Sequence, residues 1–99
     1  MRADVSDPRE VEAMIARAVE AFGRLDILHN NATLVEVGQI AHLTFEGWNR
    51  TLAVNLTGTF LGMKQALPVM RGQGGGAIVN TASISGLAGD YGLAAYNAA

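Results

Sequence analysis

Val11, Ile15, Ala18, Val19 and Phe22 recur at three- and four-residue intervals, the spacing that places side chains on one face of a helix. Asp7-Pro8-Arg9-Glu10 precedes them with the marks of a helix start: Asp7 as N-cap, Pro8 at the first helical position, and Glu10 as the far arm of a capping box. Gly23 is placed to close the helix in a left-handed conformation. Leu25-Asp26-Ile27-Leu28-His29 is a short run between that glycine and a pair of asparagines, and reads as a buried strand. From Asn30 to Leu43 no period holds, which predicts a loop. Thr44 can cap a longer helix, with Glu46 in its first turn near the positive end of the dipole. Trp48, Leu52, Leu56, Phe60, Met63 and Leu67 supply its apolar stripe, and Gly58 and Gly62 give it one face suited to close approach of another backbone. Pro68 removes one hydrogen bond near its end, and the cluster Gly72-Gln73-Gly74-Gly75-Gly76 stops it. Ala77-Ile78-Val79-Asn80-Thr81 reads as a second buried strand, and Ala82 to Ala99 as a small-residue loop rising into another helix start.

With Ala3-Asp4-Val5 read as the end of an extended segment, the order is strand end, helix, strand, long helix, strand, loop. Alternation of this kind predicts an α/β fold with a parallel sheet and crossover helices. Ligands on such sheets bind beyond the carboxyl ends of the strands. Connectivity alone therefore gathers Asp4-Val5, Asn30-Asn31-Ala32 and Ala82-Ser83 at one edge.

Composition narrows the functional classes. The 99 residues are 49% hydrophobic and 16% charged, which describes a core-forming unit rather than a disordered tail. Glycine and proline interrupt every long apolar run, so no membrane span is expected, and Met1-Arg2-Ala3-Asp4 does not resemble an export signal. A cytoplasmic setting is the expectation. The absence of cysteine excludes disulfides and thiolate metal sites. Seven basic residues against nine acidic ones give a net charge of −2 with no basic stripe, which argues against a nucleic-acid partner. His29 and His42 are not at metal-ligand spacing, so no metal site is expected.

Asn31, Asn55, Ser83 and Tyr96 stand 24, 28 and 13 positions apart, and the first of them follows a buried strand within Asn30-Asn31-Ala32. Together with Asp4-Val5, this set resembles the short-chain dehydrogenase/reductase family. The resemblance covers the whole chain but only the middle of a family domain. It implies a partial Rossmann-like, doubly wound parallel sheet in three αβα layers, with residues 1–99 as its central segment. It also implies an oxidoreductase that interconverts a hydroxyl and a carbonyl with NAD or NADP, acting on a small-molecule alcohol or carbonyl compound. In the family a full-length relative is commonly a homo-oligomer, packed through its long helix.

The resemblance assigns Tyr96 as the general acid/base and Ser83 as the donor that holds the substrate oxygen. It assigns Asn55 to holding a water of the proton relay, often with a local distortion of the helix. Asn31 and Ala32 then pass along the cofactor ribose, Asp4 and Val5 contact the adenine ring, and Tyr96 also belongs to the cofactor site. A free phenol with a pKa of about 10 is poorly matched to proton transfer near neutrality. Family members use a lysine four residues after the tyrosine, and that position lies just beyond Ala99. Thr33 departs from the pattern, because the family run continues Asn-Asn-Ala with glycine.

Rival chemistries fit less well. A nucleophilic serine would need G-x-S-x-G, and Ala82-Ser83-Ile84-Ser85-Gly86 lacks the first glycine. Gly72, Gly74 and Ala77 match G-x-G-x-x-A, but a helix precedes them and a strand follows, the reverse of a dinucleotide-binding turn. These 99 residues alone are therefore expected to be inactive and poorly stable. The alternative is a non-catalytic remnant or oligomerisation module built on the long helix.

Overall fold

The computed structural model describes all 99 residues. Helix α1 spans Pro8–Phe22, strand β1 Ile27–Asn30, helix α2 Phe45–Leu52, a π-helical segment Ala53–Thr57, helix α3 Gly58–Gly72, strand β2 Ala77–Asn80, a 3-10 turn Ile84–Gly86 and helix α4 Ala94–Ala98. β1 and β2 pair in parallel, Leu28 opposite Ile78 and Asn30 opposite Asn80, with α2, the π segment and α3 as the crossover. The α/β parallel arrangement expected from the alternation is thus present.

Helix α1 begins as its sequence predicts: the Asp7 carboxylate accepts from the Arg9 N–H at 2.9 Å, Pro8 opens the helix, and Gly23 closes it at φ 78°. The far arm of the capping box is displaced. Glu10 accepts from the Asp4 N–H at 2.9 Å, because the Asp4 carbonyl has already taken the Asp7 N–H at 3.1 Å. That bond turns the segment expected to be the end of a strand, so Ala3-Asp4-Val5 joins no ladder.

The first strand starts two residues later than expected. The Gln73 side chain takes the place of a neighbouring strand at Leu25, accepting from its N–H at 3.1 Å and donating to its carbonyl at 2.6 Å.

Ile15, Leu28, Ala66 and Met70 form the core between α1, α3 and one face of the sheet, with Ile78 packed against them. Each large member contributes about 1.5–3 kcal/mol through removal from water. The opposite face is open, with Ile27 66% and Val79 51% exposed.

The long crossover turns part of its apolar stripe away from the core. The stripe of large apolar side chains does not form the core: Leu56 and Phe60 are each 54% exposed and Leu67 40%. The buried face is instead Gly47, Thr51, Gly58, Leu61, Gly62, Ala66 and Met70. A Cβ at Gly58 would lie 2.9 Å from Val5 Cγ2, and one at Gly62 would collide with the Asn30 side chain. The close-approach face therefore receives the chain's own Val5, Leu28 and Asn30. The small residues let α3 lie down on β1, and their bulkier neighbours are left outside.

Candidate active site

Two short polar segments emerge where the strands end. β1 runs into Asn31-Ala32-Thr33 and β2 into Thr81-Ala82-Ser83. The ladder carries on past its last formal pair, because the Thr81 N–H donates to the Asn30 carbonyl at 3.0 Å. Beyond that point the two exits are cross-linked by side chains. Thr81 Oγ1 donates to Asn31 Oδ1 at 2.9 Å and lies 2.8 Å from His29 Nε2. A threonine hydroxyl has one proton, already given to Asn31, so Nε2 of His29 is the donor in that second contact. Asn30 Nδ2 donates to Asn80 Oδ1 at 2.8 Å.

Asn55 sits in the middle of the π segment. Its Oδ1 accepts from the Leu34 N–H at 2.7 Å and from Thr33 Oγ1 at 3.3 Å, while its Nδ2 donates to the Leu34 carbonyl at 2.8 Å. The carboxamide thus takes the part of a strand neighbour for Leu34 and leaves one amide hydrogen uncommitted. π segments of a single turn are widened places in a helix, where one extra residue is accommodated. Here the widening coincides with the polar residue that reaches across to the loop after β1. Thr33 takes a negative φ, as every non-glycine residue in the chain does, so the residue standing at the family's glycine position requires no left-handed backbone.

Ser83 opens the segment after β2 with extended backbone, φ −133° and ψ 151°, and its Oγ accepts from the Ser85 N–H at 3.1 Å. The hydroxyl proton remains to be donated. Tyr96 lies on α4, a five-residue helix seated by Ala95, which is wholly buried.

Asn55, Ser83 and Tyr96 come from three separate elements and line a single open cavity of about 400 Å³ together with Asn31 and Ala32. Its size lies in the range of small-molecule and cofactor sites. Asn30 and Thr33 line it as well, together with Thr59, Asn80 and Thr81, three polar residues that neither spacing nor the resemblance singled out. Their signal was available in hindsight, since each lies within three residues of a strand end or of Asn55, or one helical turn beyond it. Asp4 and Val5 do not line the cavity. The Asp4 carboxylate accepts from the Ser6 hydroxyl at 2.7 Å and the Ser6 N–H at 2.9 Å, and these bonds, with the Arg50 charge, hold its pKa below the ordinary value. Val5 packs on Gly58. No group of three or more histidine, cysteine or acidic side chains converges as a metal site would require.

The sequence pattern of the family described as short chain dehydrogenase matches residues 1–99. The chain belongs to the short-chain dehydrogenase family. Among curated members it is 46% identical over 96 residues to trans-4-hydroxycyclohexanecarboxylate dehydrogenase of Sinomonas cyclohexanicum, covering 97% of this chain and 37% of that protein. It is 41% identical over 99 residues to cyclohexanol dehydrogenase of Acinetobacter sp. strain SE19, covering 99% of this chain and 39% of the relative. Among solved structures, ElxO with NADP bound superposes with a TM-score of 0.91 at 36% identity, over 99% of this chain and 40% of that one. A protein from Burkholderia xenovorans described as a short-chain dehydrogenase/reductase gives 0.93 at 42%, over 99% and 39%. This short-chain dehydrogenase segment thus spans less than half the length of the relatives it matches, and its fold is theirs, the Rossmann-like parallel α/β class. Members of the family use NAD(P), and the NADP-bound neighbour is one instance.

Proposed function

We propose that residues 1–99 are the central segment of an NAD(P)-dependent oxidoreductase that interconverts a secondary alcohol and a ketone. The observation that carries this reading is the convergence of Ser83, Tyr96 and Asn55, from three different segments, on one cavity at the carboxyl ends of parallel strands. The cavity's volume and polar lining suit the nicotinamide and ribose end of a dinucleotide, with Asn31, Ala32 and Tyr96 as the residues that would hold it. Asp4 and Val5 would meet the adenine end. NAD(P), when bound, supplies or accepts the hydride.

The chain's own residues handle the oxygen and its proton. Ser83 Oγ, oriented by the Ser85 N–H, donates its free proton to the substrate oxygen and holds it in place. Tyr96 takes the hydroxyl proton as an alcohol is oxidised and returns it as a ketone is reduced. The remaining amide hydrogen of Asn55 holds a water on the proton's path. The cyclohexane-ring alcohols named for two relatives favour an alicyclic alcohol as substrate, an apolar ring with one reacting hydroxyl. The 99 residues by themselves do not turn over, because less than half of a family domain is present.

The outward face of Phe60 and Leu67 is where a second subunit would sit. Sedimentation of Phe60→Glu against wild type reads that directly, with dissociation expected.

The test of the function uses the protein as its gene encodes it. With cyclohexanol and NAD or NADP, Tyr96→Phe is expected to lower turnover by about 10²–10⁴-fold. Ser83→Ala should lower it by about 10²–10³-fold. Turnover that survives both substitutions refutes the assignment.

A further inference from the structure

Asn97 follows Tyr96 on α4, and its side chain makes more hydrogen bonds than the folding of a five-residue helix requires. The two hydrogens of Nδ2 go to the Ser85 carbonyl at 2.7 Å and to Asp90 Oδ2 at 3.0 Å, and the Ala88 carbonyl at 3.2 Å shares one of them. Oδ1 accepts from the Asp90 N–H at 3.0 Å. All four partners lie in one stretch, the segment that Ser83 opens. The Ser85 side chain also bonds Asp90, and past Asp90 the chain is tied by Gln39 to Tyr91 and by the Gly38 N–H to the Gly92 carbonyl at 2.7 Å, but the stretch itself has no apolar packing. Ile84 is 85% exposed, Leu87 91% and Tyr91 89%, so no apolar core holds it. Its own backbone bonds are short-range, from Gly86 to Ser83 and from Leu87 and Ala88 to Ile84. Opposite, α4 is fixed: Ala95 is wholly buried.

We propose that Asn97 is a positioning residue, whose carboxamide ties the helix that carries Tyr96 to the loop that carries Ser83 and so sets the separation of the two hydroxyls. This rests on the assignment of Ser83 and Tyr96 to the reacting oxygen. A chain of six residues, Ser85 to Asp90, is spanned by bonds at both its ends, and Ser83 is coupled to it through its own bond to the Ser85 N–H. Asp90 completes the arrangement, its carboxylate lowered in pKa by the Ser85 hydroxyl and then by the Asn97 amide. Asn97 touches neither substrate nor cofactor in this scheme; it acts through the serine. Displacement of reacting groups by about 1 Å can cost on the order of 10²-fold in rate.

The test compares Asn97→Ala, Asn97→Asp and the exchanged pair Asn97→Asp/Asp90→Asn, in the protein as its gene encodes it, with Ser83→Ala as control. Asn97→Asp keeps the shape but removes both amide donors and sets two carboxylates together. The exchanged pair restores one donor–acceptor link between positions 90 and 97. We expect kcat to fall about 10–100-fold in both single variants, with the cofactor KM unchanged and part of the loss regained in the exchanged pair. We expect amide exchange at Asp90 to speed at least tenfold in Asn97→Ala. Unchanged exchange at Asp90 overturns the tie, whatever the activity. Unchanged kcat in both single variants, while Ser83→Ala loses turnover, overturns the positioning role and leaves the catalytic assignment standing. A loss of kcat matched by an equal rise in cofactor KM, or not regained at all in the exchanged pair, also overturns it. Full turnover in Ser83→Ala removes the catalytic assignment, and the positioning role falls with it.

Discussion

A polypeptide of these 99 residues and no more should fail to fold cooperatively as a monomer. The perturbation is the isolation of the segment from whatever covers it, and the structure gives its size. The accessible surface is 6732 Å², about 1,300 Å² above the value expected for a folded monomer of this mass. The radius of gyration is 15.3 Å, where a compact chain of this length would have about 12.6 Å. Only 11 residues are buried, while Ile27 and Val79 on the sheet and Leu56, Phe60 and Leu67 on the long helix stay open. If somewhat over half of the surplus area is apolar, about 18 kcal/mol of burial is forgone at about 25 cal/mol/Å². Net stability of a domain is about 5–15 kcal/mol, so the shortfall exceeds what a whole fold has to spare. The assay is calorimetry on the purified polypeptide alongside sedimentation. A broad or absent transition and concentration-dependent association are expected. A sharp, concentration-independent transition from a sedimenting monomer refutes the reasoning.

Three further outcomes can be checked on the protein as its gene encodes it. Gly62→Val drives a side chain into Asn30 and should destabilise by about 1–3 kcal/mol, read as a lowered midpoint in urea. Asn55→Ala strips Leu34 of both its partners and should cost about 1–3 kcal/mol, with faster amide exchange at Leu34; unchanged exchange there contradicts the bonding described. Asp90, with a pKa lowered in the folded state by Ser85 and then Asn97, contributes stability that is complete above the ordinary carboxylate value and lost as pH falls through the lowered one. The loop from Ser83 should therefore hold at pH 5 and loosen only below about pH 4, with that pH dependence absent in Asp90→Asn; loosening already between pH 6 and 5 would count against it.

Much of this fold can be read in the chain because its signals are local. Asp7, Pro8 and Gly23 bracket α1 by cap chemistry that needs no tertiary partner. Ser83 and Tyr96 are legible through the family resemblance that their spacing supports, and both line the cavity. What the sequence hides is long-range. Leu25 satisfies its backbone through Gln73, 48 residues away, and so does not join the strand that its apolar neighbours suggest. The long crossover misleads for a different reason: a stripe of large side chains outweighs a line of small ones when hydrophobicity alone is counted. Gly58, Gly62, Ala66 and Met70, spaced by fours, form the buried face, with Gly58 against Val5 and Gly62 against Leu28 and Asn30 of β1. The extra residue in the π segment shifts the phase between Leu52 and Gly58, so no single 3.6-residue period describes both halves.

The parallel register of β1 on β2 also fixes an order in time. Ile27 waits for Ala77, 50 residues later in the chain, before its ladder can close. At a synthesis rate of about 5–20 residues per second, that is a delay of about 2.5–10 s in which Leu28 and Ile15 have no lid. For those seconds the apolar faces of α1 and β1 lie open to neighbouring chains, the condition in which chaperones hold nascent segments apart.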